Sequence, residues 1–228
     1  MAVQGVGDYN VDIVMCIDAT GSMSPIIGKV KENALSFYQR FVDAMEENGK
    51  TVEQLRIKVI AFRDFGCDEK PIEESEFFTL PEQNEDFRAF VNGIIACGGG
   101  DGPENALEAM ALALKSKWTT GGSKRRHAVL VFSDAAALPL GARASSANYP
   151  SDLPKDLPHL GAWWEGTDQT LDSTYQVNAG RLVAFVPNAE PWTELQAWNR
   201  YWPAFSQAGT GLAEVDIQSA IDLLVGSC

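Results

Sequence analysis

The chain has 228 residues, a length that can bury roughly 70% of its unfolded surface in a core without staples. A composition of 45% hydrophobic, 10% aromatic and 21% charged residues excludes a disordered or collagen-like chain. Eighteen Lys and Arg against 31 Asp and Glu leave a net charge of −13, which repels phosphate backbones and anionic lipid and argues against nucleic-acid or membrane-surface partners.

The four cysteines, Cys16, Cys67, Cys97 and Cys228, form no CxxC pair and have no short-range His partner, so neither a zinc knuckle nor a disulfide framework is expected. The first nine residues carry no basic start and no apolar run, and no stretch approaches the roughly 20 apolar residues of a membrane helix. A single domain spanning 1–228 in the cytoplasm is the expectation.

Residues 11–17, VDIVMCI, are an almost unbroken apolar run, the pattern of a strand buried on both faces of a parallel sheet. Ser24-Pro25 then predicts a helix N-cap followed by proline in the first turn. Ile27, Val30, Ala34, Phe37, Phe41 and Met45 line one helical face, closed by Asn48-Gly49. A second strand is predicted over 56–65 and a short edge strand over 77–80. Phe87, Phe90, Val91, Ile94 and Ile95 predict a helix stopping before Gly98-Gly99-Gly100, and another helix runs from Pro103 to about Lys117. Strands follow over 127–133 and 181–186, then a helix over 191–202, a short strand over 212–215 and a closing helix over 217–225. Alternating strands and helices imply an α/β, doubly wound, mostly parallel central sheet with helices on both faces. The stretch 135–175 breaks this rhythm with Pro139, Pro150, Pro154 and Pro158 beside Tyr149, Trp163 and Trp164. It reads as an ordered excursion over the top of the sheet that buries its own aromatics, with a partner-docking surface as the competing reading.

In such sheets ligands bind beyond the carboxyl ends of the strands, where strand order reverses. Asp18, Thr20 and Ser22 lie just past the first strand, Asp134 just past the third, and Asp101 in the glycine-rich turn between them in sequence. All offer hydroxyl or carboxylate oxygen, a set that suits a hard divalent cation, Mg²⁺ first, with Mn²⁺ and Ca²⁺ also compatible. The spacing 18, 20, 22 puts three oxygens on one side of an extended turn.

Asp18-Ala19-Thr20-Gly21-Ser22-Met23 after a buried strand resembles the DxSxS-type signature of the von Willebrand factor A (vWA) domain, which belongs to its metal-ion-dependent adhesion site (MIDAS). The segment Gly98-Gly99-Gly100-Asp101-Gly102-Pro103-Glu104 is similar to the second site loop, and Phe132-Ser133-Asp134 to the third. The resemblance implies a Rossmann-like fold. It also implies a site where Asp18, Thr20, Ser22 and Asp134 hold the ion directly or through water, leaving a position open for a partner's acidic group. Domains of this family are mostly binding modules rather than enzymes, and the short form resembles bacterial intracellular, stand-alone members, some of which work in stress or conflict systems. The sequence departs from the family at Asp101, where many members place threonine. Three carboxylates around a divalent ion sum to −1, which weakens attraction for an incoming Asp or Glu. Either Asp101 contacts the metal through water, or the group that completes the site is something other than a carboxylate; set against a role at the metal, direct or by water, is the reading that Asp101 merely caps the helix beginning near Pro103.

Other candidates carry weaker signals. Asp64 reads as an ordinary loop acid or an outer neighbour of the site, and Glu104 as a first-turn partner of the helix dipole. Residues 21–29 lack the glycine spacing of a phosphate loop, and the two histidines, His127 and His159, form no nucleophilic triad. Lys124-Arg125-Arg126 reads as a solvated strand entry that could meet an acidic peptide, and Trp192, Trp198 and Trp202 as helical packing. The expected function is divalent-cation-dependent recognition of a protein partner. The alternatives are a Mg²⁺-dependent phosphohydrolase, which requires a base or a phosphate-clamping Arg or Lys such as Arg63 near the ion, and a scaffold with a purely structural metal.

Overall fold

The computed structural model describes residues 8–100, 102–206, 212 and 216–228. Ten consecutive buried residues form strand β1 (Tyr9–Asp18), and a strand buried on both faces belongs in the middle of a covered sheet. On one side it pairs in parallel with β2 (Val52–Phe62), on the other with β5 (Lys124–Phe132). Strand β6 (Gly180–Pro187) joins β5 and β7 (Tyr201–Ser206) joins β6, both in parallel. Two three-residue strands, β3 (Ile72–Glu74) and β4 (Phe78–Leu80), pair antiparallel with β2 at the opposite edge. The order is β3-β2-β1-β5-β6-β7, with β4 also on β2.

Helices cover both faces. Val11, Ile13, Met15 and Ile17 of β1 face a core shared with α1 (Ile27–Glu47), α2 (Asn84–Gly93) and α5 (Gln218–Gly226). Val14 and Cys16 face the other core, shared with α3 (Ala106–Leu114) and α4 (Leu157–Glu165). Helix α3 buries eight of its nine residues, so it lies sandwiched rather than half exposed. The chain leaves β1 toward β2 on one side, and returns to β5 on the other. The crevice between the carboxyl ends of β1 and β5 is thus the switch point of the sheet.

Several expectations are corrected. Helix α1 begins at Ile27 behind Ile26, with no side-chain cap, so Ser24-Pro25 is not its N-cap; a short 3-10 turn over Gly21–Met23 comes first. The second strand starts and stops earlier than expected, leaving Arg63, Asp64 and Phe65 beyond its end. Helix α2 ends at Gly93, Ile94 turns extended, and Ile95 is 67% exposed rather than part of an inward face. Residues 191–202 are not a helix. Only Glu194–Ala197 form a 3-10 turn, Arg200 takes a left-handed φ of 60°, and the chain then becomes β7. The three-residue spacing of Trp192, Leu195 and Trp198 mimics helical periodicity, but it arises because the turn packs Trp192 and Leu195 into the core beside α3 and α4. The strand expected over 212–215 lies outside the described residues apart from Leu212, which is buried.

Within 135–175, Asp156 caps α4 by accepting from the His159 backbone N–H at 2.9 Å, and Gly166 ends the helix at φ 67°. Trp163 and Trp164 are buried, and their indole N–H groups donate to Thr170 Oγ1 (3.0 Å) and the Asn199 carbonyl (2.7 Å). The first bond ties the excursion to itself and the second ties it to the segment before β7, while both rings pack in the core shared with Val129 and Leu182 of the sheet.

Candidate functional site

The register that aligns Ile17 with Phe132 brings the ends of β1 and β5 level, so Asp18 and Ser133 emerge side by side. Ser133 Oγ donates to Asp18 Oδ2 at 2.7 Å. The other carboxylate oxygen, Oδ1, accepts from the backbone N–H of Thr20 (2.9 Å) and from its hydroxyl (2.7 Å). Thr20 Oγ1 in turn lies 3.1 Å from Ser22 Oγ, and Ser22 Oγ donates to Asp134 Oδ1 at 3.0 Å. A continuous chain of oxygens therefore runs Asp18, Thr20, Ser22, Asp134 across the switch point. The expected juxtaposition of these four residues is met, although Ser22 sits in the 3-10 turn rather than in extended backbone.

The glycine loop lies against this chain. The Cys97 N–H donates to the Ala19 carbonyl and the Gly21 N–H to the Gly98 carbonyl, each at 3.0 Å. Gly98 and Gly99 take φ of 66° and 77°, and a Cβ on Gly98 would fall 1.7 Å from Asp68 Oδ1. Only glycine meets both demands. Asp101, the remaining candidate, lies outside the described residues.

Burial dominates the electrostatics. Asp18 is fully buried, and loss of water pushes its carboxyl up from 3.8 to about 6, against the pull of its hydrogen bonds from Ser133 and Thr20; the Asp134 charge adds to the rise. Asp134 is raised for the same chief reason, desolvation. Two buried carboxylates bridged only by hydroxyls hold more negative charge than their surroundings balance. The oxygen donor set and its unbalanced charge both fit a hard divalent cation. Among the described residues no three His, Cys, Asp or Glu side chains surround one metal position, so hydroxyl oxygens would have to complete the set around two carboxylates.

Three features escaped the sequence reading. Asp64 is buried at 1% exposure and gripped by Arg143 from the excursion, Nε to Oδ1 at 3.0 Å and Nη2 to Oδ2 at 2.9 Å. It is an anchor for the excursion rather than an ordinary loop acid, and nothing local signals a partner 79 residues away. Glu104 is not in the first turn of α3, which starts at Ala106; it forms a one-residue parallel bridge with Ala137 and is 4% exposed. Ser133 belonged to the third loop but carried no assigned role.

The cations sought as phosphate clamps are committed elsewhere. Arg63 is buried, donating to the carbonyls of Ala19 (3.1 Å) and Ile95 (2.7 Å) and pairing with Glu73 at 2.6 Å. The run 124–126 stands at the opposite end of β5 from Asp134. There Lys124 lies over the Tyr9 ring, Arg125 donates to the Gly122 carbonyl and Arg126 to that of Ser227.

A family profile described as the von Willebrand factor A domain matches residues 12–140, more than half of the chain and all three site loops. The chain belongs to the von Willebrand factor A family. Among curated proteins it is 28% identical over 120 residues to the alpha-protein kinase vwkA of Dictyostelium discoideum, half of this chain but only 17% of the kinase. Among solved structures, the pilus adhesin SpaC of Lactobacillus rhamnosus GG in its open conformation superimposes with a TM-score of 0.57 at 14% identity, covering 95% of this chain and 30% of the adhesin. A von Willebrand factor type A protein from Catenulispora acidiphila gives 0.53 at 12% identity, over 95% of this chain and 43% of that protein. At such identities the structural likeness speaks for the vWA fold. The chain spans less than half the length of each of these relatives. Domains of the vWA type often mediate adhesion between proteins, and no described helix is long and apolar enough to cross a membrane.

Proposed function

We propose that this vWA domain is a divalent-cation-dependent protein-binding module, with Mg²⁺ the preferred ion and Asp18, Thr20, Ser22 and Asp134 its holders. The reading rests on one observation above others: the unbroken oxygen chain from Asp18 to Asp134 that bridges two strand ends at the switch point. When bound, the cation supplies a positive point able to take an oxygen from a partner protein. The chain's own residues do the rest. Ser133 and the Thr20 backbone fix the Asp18 carboxylate, Ser22 fixes Asp134, and Gly98 and Gly99 let the second loop approach without a side chain in the way.

The reading includes no catalysis by this chain. Arg63 is spent on carbonyls and Glu73, and the basic run stands at the far end of β5, so neither supports phosphate binding at the site. The activity named for the kinase relative is not carried over from a match to 17% of its length.

Calorimetric titration with Mg²⁺ and with Mn²⁺ tests the proposal. One site is expected, abolished in Asp18→Ala while the circular dichroism spectrum stays folded. Unchanged binding in that variant, or metal-dependent phosphoester turnover lost with Asp134→Ala, would refute it.

A further inference from the structure

The excursion over 135–175 buries Trp163 and Trp164, but Ala137, Leu140 and Leu157 line a groove of about 340 Å³ together with Leu107 of α3. The groove lies between the residues that follow β5 and those that follow β6, on the α3 and α4 side of the sheet. Leu107, Ala137 and Leu140 are buried and Leu157 is half-buried, so this part of the lining is apolar and held by the core. The exposed carboxylates of Asp156, Glu190 and Glu194 complete it. No ion pair among the described residues includes any of the three. Asp156 spends Oδ1 on the His159 N–H at the N-terminus of α4, whose positive end offsets part of its charge. The side chains of Glu190 and Glu194 make no hydrogen bond among the described residues. Trp192 Nε1 donates to the Ala135 carbonyl at 3.1 Å, which ties the segment after β6 to the residue next to Asp134. The groove therefore opens on the same face as the oxygen chain and is fixed to it.

We propose that this groove receives a lysine or arginine side chain of the protein partner, its aliphatic stem on the apolar lining and its charge among Glu190, Glu194 and Asp156. Both halves of the lining are matched by such a side chain, which covers apolar surface with its methylenes and keeps its cationic head at the rim. The volume is at the low end of ligand pockets, roughly 300–1,000 Å³, and suits one long side chain with its neighbours rather than a cofactor. The net charge of −13 adds a long-range attraction for a basic segment. The inference rests on the protein-binding reading above and names the partner's chemistry, but it needs no metal, so a chelator separates the two.

The test is a titration of the ¹⁵N-labelled full chain, in chelator, with the peptide acetyl-Leu-Arg-Leu-Arg-amide, followed by amide chemical shifts. The largest shifts should fall on the amides of Leu107, Ala137, Leu140 and Leu157. The double variant Glu190→Gln/Glu194→Gln should raise the Kd about 2- to 30-fold, the worth of two partly exposed ion pairs. Glu46→Gln/Glu47→Gln removes the same charge from the exposed end of α1 and should leave the Kd unchanged. No saturable shifts at millimolar peptide, or shifts centred away from the groove, would overturn the proposal. So would an equal loss in the two double variants, which would reduce the effect to net charge, or equal binding of acetyl-Leu-Glu-Leu-Glu-amide. Spermidine binding as tightly through the same amides would overturn the protein source and make the groove a polyamine site. Absent peptide binding with Mg²⁺ binding intact by calorimetry would refute the groove alone, and the reverse result would refute the cation reading alone.

Discussion

Asp18→Asn separates the cost of the site from its use. The Asp18 carboxyl is fully buried and raised from 3.8 to about 6. Its extra proton is therefore bound by the folded chain between these values. The associated stability is present below pH 3.8 and lost as pH rises through about 6. At pH 7.5 and without metal the full penalty applies, on the order of 3 kcal/mol. Asparagine removes the charge but keeps a carbonyl oxygen for the Thr20 N–H and hydroxyl, while its amide faces Ser133 Oγ, which can turn to accept. Allowing for weaker, uncharged hydrogen bonds, we expect the metal-free variant to gain about 1–2 kcal/mol, a rise of roughly 2–8 °C for a chain of this size. That gain should shrink toward zero at pH 4. Mg²⁺ at about a hundred times its dissociation constant should stabilise the parent by roughly 2.7 kcal/mol and leave the variant unmoved. Melting curves by differential scanning fluorimetry, with chelator or Mg²⁺ at pH 4 and 7.5, read all four cases. A variant that melts lower than the parent in chelator and still responds to Mg²⁺ would refute the reasoning.

Arg143→Met strips the buried Asp64 of its bidentate partner. It should lower the melting temperature and speed proteolysis within 141–155, and adding Asp64→Asn should recover part of the loss; a single variant as stable as the parent would count against the anchor. Trp164 is 1% exposed and donates to the Asn199 carbonyl at 2.7 Å. Trp164→Ala should cost about 3–5 kcal/mol in urea unfolding, and a loss below about 1 kcal/mol would mean that α4 is not docked as described. His127 is buried against Trp118, with Nε2 3.0 Å from the Thr119 carbonyl, and burial lowers its imidazole from 6.5 to about 4. The unfolded chain therefore takes up a proton that the folded chain refuses, so this group removes stability as pH falls from 6.5 toward 4. Proton NMR should show no titration of its ring above pH 5, and a midpoint near 6.5 would contradict its burial.

The sheet was legible because β1, β5 and β6 are buried on both faces and so read as nearly continuous apolar runs. Their carboxyl ends then located Asp18, Thr20, Ser22 and Asp134 without reference to tertiary contacts. Packing that mimics another period was not legible. Trp192, Leu195 and Trp198 repeat like a helix face, yet the left-handed Arg200 and the pairing of β7 with β6 end any helix there. Pairings distant in sequence were hidden as well. Asp64 finds Arg143 across 79 residues, and Glu104 is buried only because the segment after Asp134 folds back onto it. A loop acid's neighbours are decided by the fold, whereas a strand's burial is written in its own residues.

The most direct test of the central claim is a Mn²⁺ anomalous difference map from crystals of this chain. The account predicts one strong peak at the carboxyl ends of β1 and β5, held directly or through water by oxygens of Asp18, Thr20, Ser22 and Asp134. A map featureless there at a Mn²⁺ concentration that saturates the calorimetric site, or a peak only elsewhere on the surface, would contradict it.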